Sequence, residues 1–248
     1  MTSKTHKILL NEDKLLGVRC IERPTIGVKA GPVTAVCYLR GTHIATPDGE
    51  RRVEDLNIGE LVVTLSGESK PIKWIGRQQL KKSTETWPTD FEPIRVSRFA
   101  LNERTPHRDL YVSPGHAIYI DGVLIPAKYL VNGKTIVQCA PEGAEVIDYL
   151  HIELFAHDVV YAEGATAETF GSLREARDKF DNFYEYYRLY PNDKEIAHPA
   201  CAPNLGGESR LESAGRPLRQ LLEPLIDLRT ARDTIRDRLA TRARELVE

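Results

Sequence analysis

One cysteine lies where a thiol could attack its own chain. Cys37 follows the apolar residues Ala35 and Val36 and precedes a turn-rich stretch with a β-like pattern. Because a cysteine thiolate is a good nucleophile near neutral pH, Cys37 could attack the carbonyl of Val36, in the peptide bond directly before it. The competing interpretation is a buried core thiol, which is common among free cysteines. Taken alone, the residue favours the core interpretation.

A hydroxyl and a histidine stand close together in "LYVSPGHAIYI". Ser113 and His116 are separated by Pro-Gly, a tight-turn dipeptide that could hold both side chains beside one backbone amide. Histidine is suited to protonating a departing amide nitrogen, and a hydroxyl can stabilise an oxyanion. A surface turn with a chance histidine is the simpler interpretation of S-x-x-H by itself.

A third polar cluster occurs in "HIELFAHDVVYAEG". Strand alternation places His151 and Glu153 on one face, and His157-Asp158 falls at a turn. A carboxylate beside a histidine could orient the ring or change its pKa. Two exposed polar residues of a hairpin are the alternative. The spacing of these residues matches no zinc pattern, so the sequence predicts no metal site.

Composition excludes several classes of protein. The chain has 248 residues, 41% of them hydrophobic, with a net charge of −2, which is ordinary for a globular protein. A basic excess that would indicate nucleic acid is missing. The apolar runs are too short for a membrane span, and Ile8-Leu9-Leu10 is too short for a signal peptide. The sequence therefore predicts a cytoplasmic protein, with export by a route that needs no N-terminal signal as the alternative.

The cysteines show no common framework. None forms a C-x-x-C pair, and their density is low for a disulfide-stabilised fold. We interpret them as four separate thiols and predict no cofactor; they are Cys20, Cys37, Cys139 and Cys201.

The pattern along the chain divides it into three regions. Residues 1–36 form a short leader, and residues 37–168 predict an all-β domain because strand-like runs such as "HIAT", "LVVT" and "AIYI" alternate with turns. Pro47-Asp48-Gly49 fits a type I turn, Asp121-Gly122 is a strong hairpin signal, and Asn132-Gly133 is a further turn signal.

Residues 169–248 predict a helical extension interrupted by a Pro/Gly linker. Two apolar stripes have helical spacing. We expect the last helix, from Pro217 to Glu248, to dock on the β domain or on a partner chain. The first stripe is Phe180, Phe183, Tyr184, Tyr187 and Tyr190; the second is Leu218, Leu221, Leu222, Leu225, Ile226, Ile235, Leu239 and Leu246.

Several blocks in this order resemble the Hint (Hedgehog/intein) family, and in particular stand-alone bacterial Hint proteins. "VCYLRGTHIATPDGERRVEDLNIGELVVT" is similar to the opening block of that family and "WIGRQQL" to its W-I-G-R stretch. "DLYVSPGHAIYIDGVLIPAKYLVNG" is similar to its S/T-x-x-H block and "YLHIELFAHDVVYAEGATAETF" to its closing block. The resemblance covers roughly residues 33–170 and continues more loosely beyond them.

The resemblance implies a horseshoe-like, all-β fold of pseudo-twofold character and an N-to-S acyl shift. Cys37 would attack the carbonyl of Val36 to give a thioester, and His116 would protonate the departing Cys37 nitrogen. Ser113 would hydrogen-bond the scissile peptide. His157 and Asp158, in the closing block, would assist.

One departure from the splicing pattern changes the expected outcome. The closing block ends in "EGATAETF", with no asparagine to cyclise. We therefore expect N-terminal cleavage without splicing, as a single event in each chain, with water or a small nucleophile as the acceptor. A sterol-recognition segment is not recognisable, so a sterol acceptor is not implied.

Two other functions remain open. A Hint-like domain that no longer processes itself could serve as a binding or assembly module, with a protein partner on the C-terminal helices. A Cys/His hydrolase acting on other molecules would need Cys37 to be open to bulk substrate.

Overall fold

The computed structural model describes residues 36–171, 177–193, 199–205 and 231–247. The predicted leader lies outside these residues except for Val36, as does Cys20. The described part of the predicted C-terminal helix begins at Ala231, so its stripe from Leu218 to Ile226 also lies outside.

The described chain is mostly short β-strands. The strands are β1 (Tyr38–Leu39), β2 (His43–Thr46), β3 (Gly49–Arg52), β4 (Leu61–Val63), β5 (Ser69–Pro71), β6 (Trp74–Lys81), β7 (Ile94–Val96), β8 (Leu110–Val112), β9 (Ala117–Ile120), β10 (Val123–Pro126), β11 (Ile136–Gln138), β12 (Val146–Glu153), β13 (Val159–Ala162) and β14 (Ala165–Glu168). The helices are α1 (Phe183–Leu189) and α2 (Ala231–Val247), with 3-10 turns at Val53–Asp55 and Ala127–Tyr129.

These strands form two six-stranded antiparallel sheets and one two-stranded sheet. The first sheet has the order β11-β7-β8-β1-β12-β6, the second has the order β10-β9-β14-β13-β2-β3, and β4 pairs with β5. Strand β1 is short but central, since Tyr38 pairs with Leu150 of β12 on one side and with Val112 of β8 on the other. The prediction of an all-β domain with a helical extension is confirmed.

Two of the three predicted turns form hairpins. Thr46 pairs with Gly49 across Pro47 and Asp48, which closes the β2–β3 hairpin. Asp121 and Gly122 join β9 to β10 with φ values of 50° and 88°. Both residues of a type I′ turn need a positive φ, and Asp-Gly suits that need.

Asn132-Gly133 lies in a loop and not in a hairpin. A 3-10 turn and this loop precede β11, which pairs with β7. The Asn132 side chain shapes the loop, because its Oδ1 accepts hydrogen bonds of 3.0 Å from the backbone N–H groups of Lys134, Thr135 and Ile136. An asparagine side chain can thus hold a loop by bonding to the backbone that follows it.

Helix α2 packs into the main apolar core, as one of the predicted interpretations requires. Ile235 and Leu239 join the cluster that also contains Ile44 and Ile118 of the second sheet. The third buried residue of the helix is Ala243, whereas Leu246, predicted on the stripe, is 39% exposed.

The aromatic stripe predicted around α1 is only partly correct. Of the predicted residues, Phe180 is buried but Tyr184 is 72% exposed, and the buried residue of α1 is Tyr186, which is not part of the predicted stripe. The reason is that α1 begins only at Phe183, so Phe180 lies outside the helix and the helix buries a different face.

A buried ion network joins this segment to the first sheet. Arg177 donates to the Glu153 carboxylate at 2.9 Å, and Lys73 Nζ lies 3.2 Å from the same carboxylate. Lys73 also donates to Asp193 and to the Tyr186 hydroxyl, both at 2.6 Å. Burial disfavours the charged lysine, but these partners outweigh it and raise the Lys73 pKa. The network therefore holds residues 177–193 against the end of β12.

We predict that Gly76→Ala destabilises the fold by about 1–3 kcal/mol through overpacking. A Cβ on Gly76 would lie 2.7–2.8 Å from ring atoms of Phe180, closer than a real contact allows. Urea unfolding of the variant measures the effect. Gly171→Ala is the matched control, because nothing lies within 4 Å of its Cβ position. Equal stability of the two variants would contradict the packing of residues 177–193 on β6.

Candidate active site

Ser113 forms hydrogen bonds with both the backbone N–H and the backbone carbonyl of Cys37. The Cys37 N–H donates to Ser113 Oγ at 2.9 Å, and the Ser113 N–H donates to the Cys37 carbonyl at 2.9 Å. Cys37 directly precedes β1 and Ser113 directly follows β8, so the pairing of these strands produces the contact. The structure thus places the predicted serine on the N–H of the predicted scissile peptide.

The Cys37 thiol is sealed from solvent. Cys37 is 0% exposed, while Val36 is half-buried. The thiol belongs to an aromatic cluster that includes Trp74, Tyr149 and Phe180. Burial in this setting raises the Cys37 pKa well above its ordinary value, so the resting group is a thiol and not a thiolate.

His116 is buried beside the same peptide. Its N–H donates to the Ser113 carbonyl at 3.0 Å, which closes the Pro-Gly turn, and its ring centroid lies 4.3 Å from that of Tyr38. Neither ring nitrogen makes a hydrogen bond of good geometry among the described residues, although backbone groups of Cys37 and Glu168 act on the ring and favour protonation. Burial outweighs them and lowers the His116 pKa to about 4.

His151 is a second buried neutral imidazole in the cluster. It follows Leu150, the partner of Tyr38, so it lies next to Cys37 across the β1–β12 ladder. Its ring is 5.7 Å from the ring of His116 and stacks on Tyr38 at 6.3 Å. Burial, followed by the neighbouring histidines, lowers its pKa well below the ordinary value. Sequence reasoning did not include His151 among the catalytic candidates.

His157 forms an ion pair with Glu168. The sequence indicates His157 as a site residue but not Glu168. Nε2 of His157 lies 3.4 Å from Glu168 Oε2, and Nδ1 accepts the Cys201 N–H at 3.1 Å. Burial lowers the His157 pKa, but the side chains of Cys201 and Glu168 outweigh it and raise the value to about 9. The hydrogen bond from the Cys201 N–H opposes this increase in the His157 pKa, since Nδ1 can accept it only while that nitrogen carries no proton. The Glu168 carboxylate outweighs this contact because it carries a full charge.

Glu168 also fixes the backbone around the site. Its Oε1 accepts the Ala117 N–H at 2.7 Å, and its carbonyl accepts the Tyr38 hydroxyl at 3.0 Å. The sequence signal was weak, since only the position of this acid at the end of the alternating "ATAE" strand separates it from surface glutamates.

Asp158 lies in a different contact. Its Oδ2 accepts Lys70 Nζ at 2.7 Å, and its Oδ1 accepts the Val159 N–H at 2.7 Å. The structure thus brings together Cys37, Ser113 and His116, and directs the Asp158 carboxylate to a lysine.

Comparison with known families fits this geometry. The model of the Hint domain family matches residues 36–173, more than half of the chain. The chain belongs to the Hint domain family. The predicted resemblance and fold class are therefore confirmed.

Solved structures of inteins are also similar to this Hint domain. The crystal structure of the MchDnaB-1 intein carrying N145AA is 11% identical, covers 54% of this chain and 99% of its own, and has a TM-score of 0.38. The solution structure of a bacterial intein-like domain from Clostridium thermocellum is 13% identical, covers 54% of this chain and 98% of its own, and has a TM-score of 0.38. The search of curated proteins gave no match. Among the described residues, neither helix is long and apolar enough to cross a membrane.

We predict that acid destabilises the Hint domain through its buried histidines. Between pH 6.5 and pH 4 the unfolded chain binds protons on His116 and His151 that the folded chain does not bind, so stability falls as the pH falls. For His116 the loss is roughly 3 kcal/mol once the pH reaches 4. His157 has a raised pKa, so its stabilisation is complete below pH 6.5 and disappears only towards pH 9.

The variant His151→Phe tests this account. Phenylalanine preserves the ring contacts with Phe170 and Phe180 but cannot bind a proton. Urea unfolding at pH 7.5 and pH 5.0 should show a smaller loss for the variant than for the unchanged chain. Titration of the carboxylates is common to both proteins and cancels in the difference. An identical loss in the two proteins would show that His151 is not held neutral.

Proposed function

We propose that this Hint domain cleaves its own chain at the Val36–Cys37 peptide bond by an N-to-S acyl shift, without splicing. The observation that carries the proposal is the pair of hydrogen bonds between Cys37 and Ser113, both of 2.9 Å. They fix the scissile amide in orientation, beside a buried histidine. Such fixation is the main contribution that a preorganised site makes to an intramolecular reaction.

The first step is removal of the thiol proton. Because burial raises the Cys37 pKa, the sulfur needs a base at the moment of attack. His116, with its pKa lowered to about 4, is neutral at pH 7 and can accept a proton. Burial makes the ring a weak base, and the Glu168 carboxylate favours its protonated form. His116 therefore begins the reaction as a base, an order that the sequence did not indicate.

The second step exchanges the acyl group between nitrogen and sulfur. The Cys37 sulfur forms a bond to the Val36 carbonyl carbon, which gives a tetrahedral intermediate. The C–N bond then breaks, and the proton held by His116 passes to the departing Cys37 nitrogen. The net change is one proton moved from sulfur to nitrogen and one amide converted to a thioester.

The last step releases the acyl segment. Water or a small nucleophile attacks the thioester carbonyl, which frees the Cys37 thiol and ends the reaction in that chain. The closing block offers no asparagine for a splicing reaction. Each chain would therefore act once, on its own N-terminal segment.

The electrostatic setting assigns a role to the closing block. His157 and Glu168 form a charge pair, and Glu168 also favours the protonated form of His116. Glu168 would thus stabilise the His116 imidazolium that exists between the two proton transfers. Glu168 takes the carboxylate role that the sequence suggested for Asp158, whose carboxylate pairs with Lys70.

A second candidate is a Hint domain that no longer processes itself and serves as a binding module. The observation that favours it is the resting state of the site, in which the thiol is protonated and fully buried and His116 is neutral. The same burial argues against a hydrolase acting on other molecules, because Cys37 is closed to bulk substrate.

Intact mass spectrometry tests the proposal directly. The full chain treated with hydroxylamine or a thiol should separate into residues 1–36 and 37–248. Cys37→Ala should remain intact, and His116→Gln should react about 10²- to 10⁴-fold more slowly. If the chain without substitutions also stays whole under this treatment, the second candidate, a binding module, is favoured.

We predict that Ser113→Ala slows cleavage, whereas Ser113→Thr retains it. Alanine removes the acceptor of the Cys37 N–H, which leaves a buried donor unpaired at a cost of about 1–3 kcal/mol. Threonine keeps the hydroxyl and limits its rotamers. Cleavage rates and circular dichroism of both variants separate a loss of reaction from a loss of fold. If Ser113→Ala cleaves as fast as Ser113→Thr, the Ser113 hydroxyl has no role in the reaction.

A further inference from the structure

A second group of ionisable side chains lies outside the Cys37 site, at the edge of the second sheet. Glu50 belongs to β3, His107 to the loop before β8, and Glu163 to the turn between β13 and β14. One oxygen or nitrogen atom from each lies within 4.8 Å of the others. Nothing in the proposed self-cleavage uses these residues.

Glu163 is the centre of the group. It is 3% exposed, and its backbone has a φ of 48° in a two-residue hairpin turn. Its Oε1 accepts the His43 N–H at 2.7 Å and lies 3.0 Å from His43 Nδ1. Its Oε2 has no hydrogen-bond partner among the described residues. His43 therefore fixes the carboxylate so that one buried oxygen is left for another ligand.

His107 faces this oxygen because the backbone makes room for it. A Cβ on Gly164 would lie 2.7 Å from His107 Nδ1, so only glycine permits this ring position. The backbone N–H of His107 donates to the backbone carbonyl of Glu163 at 2.9 Å, which ties the loop to the turn. Nε2 then lies 3.7 Å from Glu163 Oε2 and 3.1 Å from Glu50 Oε2.

These separations match the coordination sphere of zinc. Ligand atoms about 2.1 Å from a tetrahedral zinc ion are about 3.4 Å from one another. The two measured distances to His107 Nε2 lie on either side of that value. One imidazole and two carboxylates are also a ligand set that zinc accepts, with a fourth position left for water. The hydrogen bonds from His43 to Glu163 have the character of outer contacts that orient a metal ligand.

Arg108 is the competing cation. Its Nη1 lies 3.6 Å from Glu163 Oε2 and 4.0 Å from Glu50 Oε2. It also lies 3.0 Å from His43 Nδ1, a nitrogen that cannot accept from Arg108 and donate to Glu163 at once. The Arg108 side chain is 55% exposed, so it has room to swing into solvent. A guanidinium that shares its carboxylates this loosely is a replaceable partner.

We propose that Glu50, His107 and Glu163 form a zinc-binding site, separate from the Cys37 site, and that Arg108 occupies its carboxylates when zinc is absent. The site joins β3, the loop before β8 and the β13–β14 turn, so zinc would brace three separate parts of the chain. The proposal does not depend on self-cleavage.

Zinc titration of a thiol-free, tag-free full chain tests the proposal. The background carries Cys37→Ala together with serine at Cys20, Cys139 and Cys201, so no thiolate can bind the metal and the chain stays whole. Calorimetric titration with zinc chloride at pH 7.5 should show one equivalent, together with a higher Tm. Glu163→Gln and His107→Gln should each weaken the affinity at least tenfold and remove the Tm shift.

Two controls decide between zinc and the ion pair. Glu68→Gln alters an exposed carboxylate elsewhere and should leave zinc binding unchanged. Arg108→Gln removes the competing cation and should leave the affinity unchanged or increase it. His107→Gln keeps the test valid if Glu163→Gln fails to fold, because the His107 side chain is partly exposed. Absence of a zinc equivalent, its survival in both ligand variants, or its loss in Arg108→Gln would overturn the proposal.

Discussion

The antiparallel contact between Cys37 and Ser113 is the constraint on which the rest of the site depends. It lies where β1 enters the first sheet, between β8 and β12. A strand of two residues has few hydrogen bonds of its own, so its flanking strands fix its position. A one-residue slip in register would move Cys37 away from the serine and turn its side chain to the opposite face. The short central strand therefore links the accuracy of the site to the folding of the whole sheet.

Burial at this strand separates the histidines into two kinds. In the part of the chain that the structure describes, neither His116 nor His151 forms an ion pair with a carboxylate, and both are held neutral, whereas His157 contacts Glu168 and has a raised pKa. Titratable groups whose environments push their pKa values apart are suited to divide acid and base roles. Both neutral rings contact Tyr38, which follows Cys37, and in the proposed reaction the His157–Glu168 pair would supply an electrostatic field to them.

Residues outside the strands of the Hint domain help to bury the Cys37 thiol away from solvent. Phe180 and Tyr186, from residues 177–193, share the aromatic cluster of Cys37. Arg177 and Lys73 tie that segment to Glu153 at the end of β12. A buried ion pair is a weak source of stability, but loss of one partner leaves an uncompensated charge and is costly. The network thus favours one position of the segment over alternatives, and this position excludes water from the thiol.

The sequence located the candidate residues of the proposed reaction but not their protonation states. Cys37 and the Ser113–His116 turn are local patterns, so they could be found without a fold, as could the Asp121-Gly122 hairpin. Glu168 could not, because its contacts with Ala117 and His157 join distant parts of the chain. The proposed role of His116 as an initial base depends on burial by several strands at once, which no spacing in the sequence records. Local chemistry thus sets which groups are available, and in the proposed reaction long-range burial sets the order in which they exchange a proton.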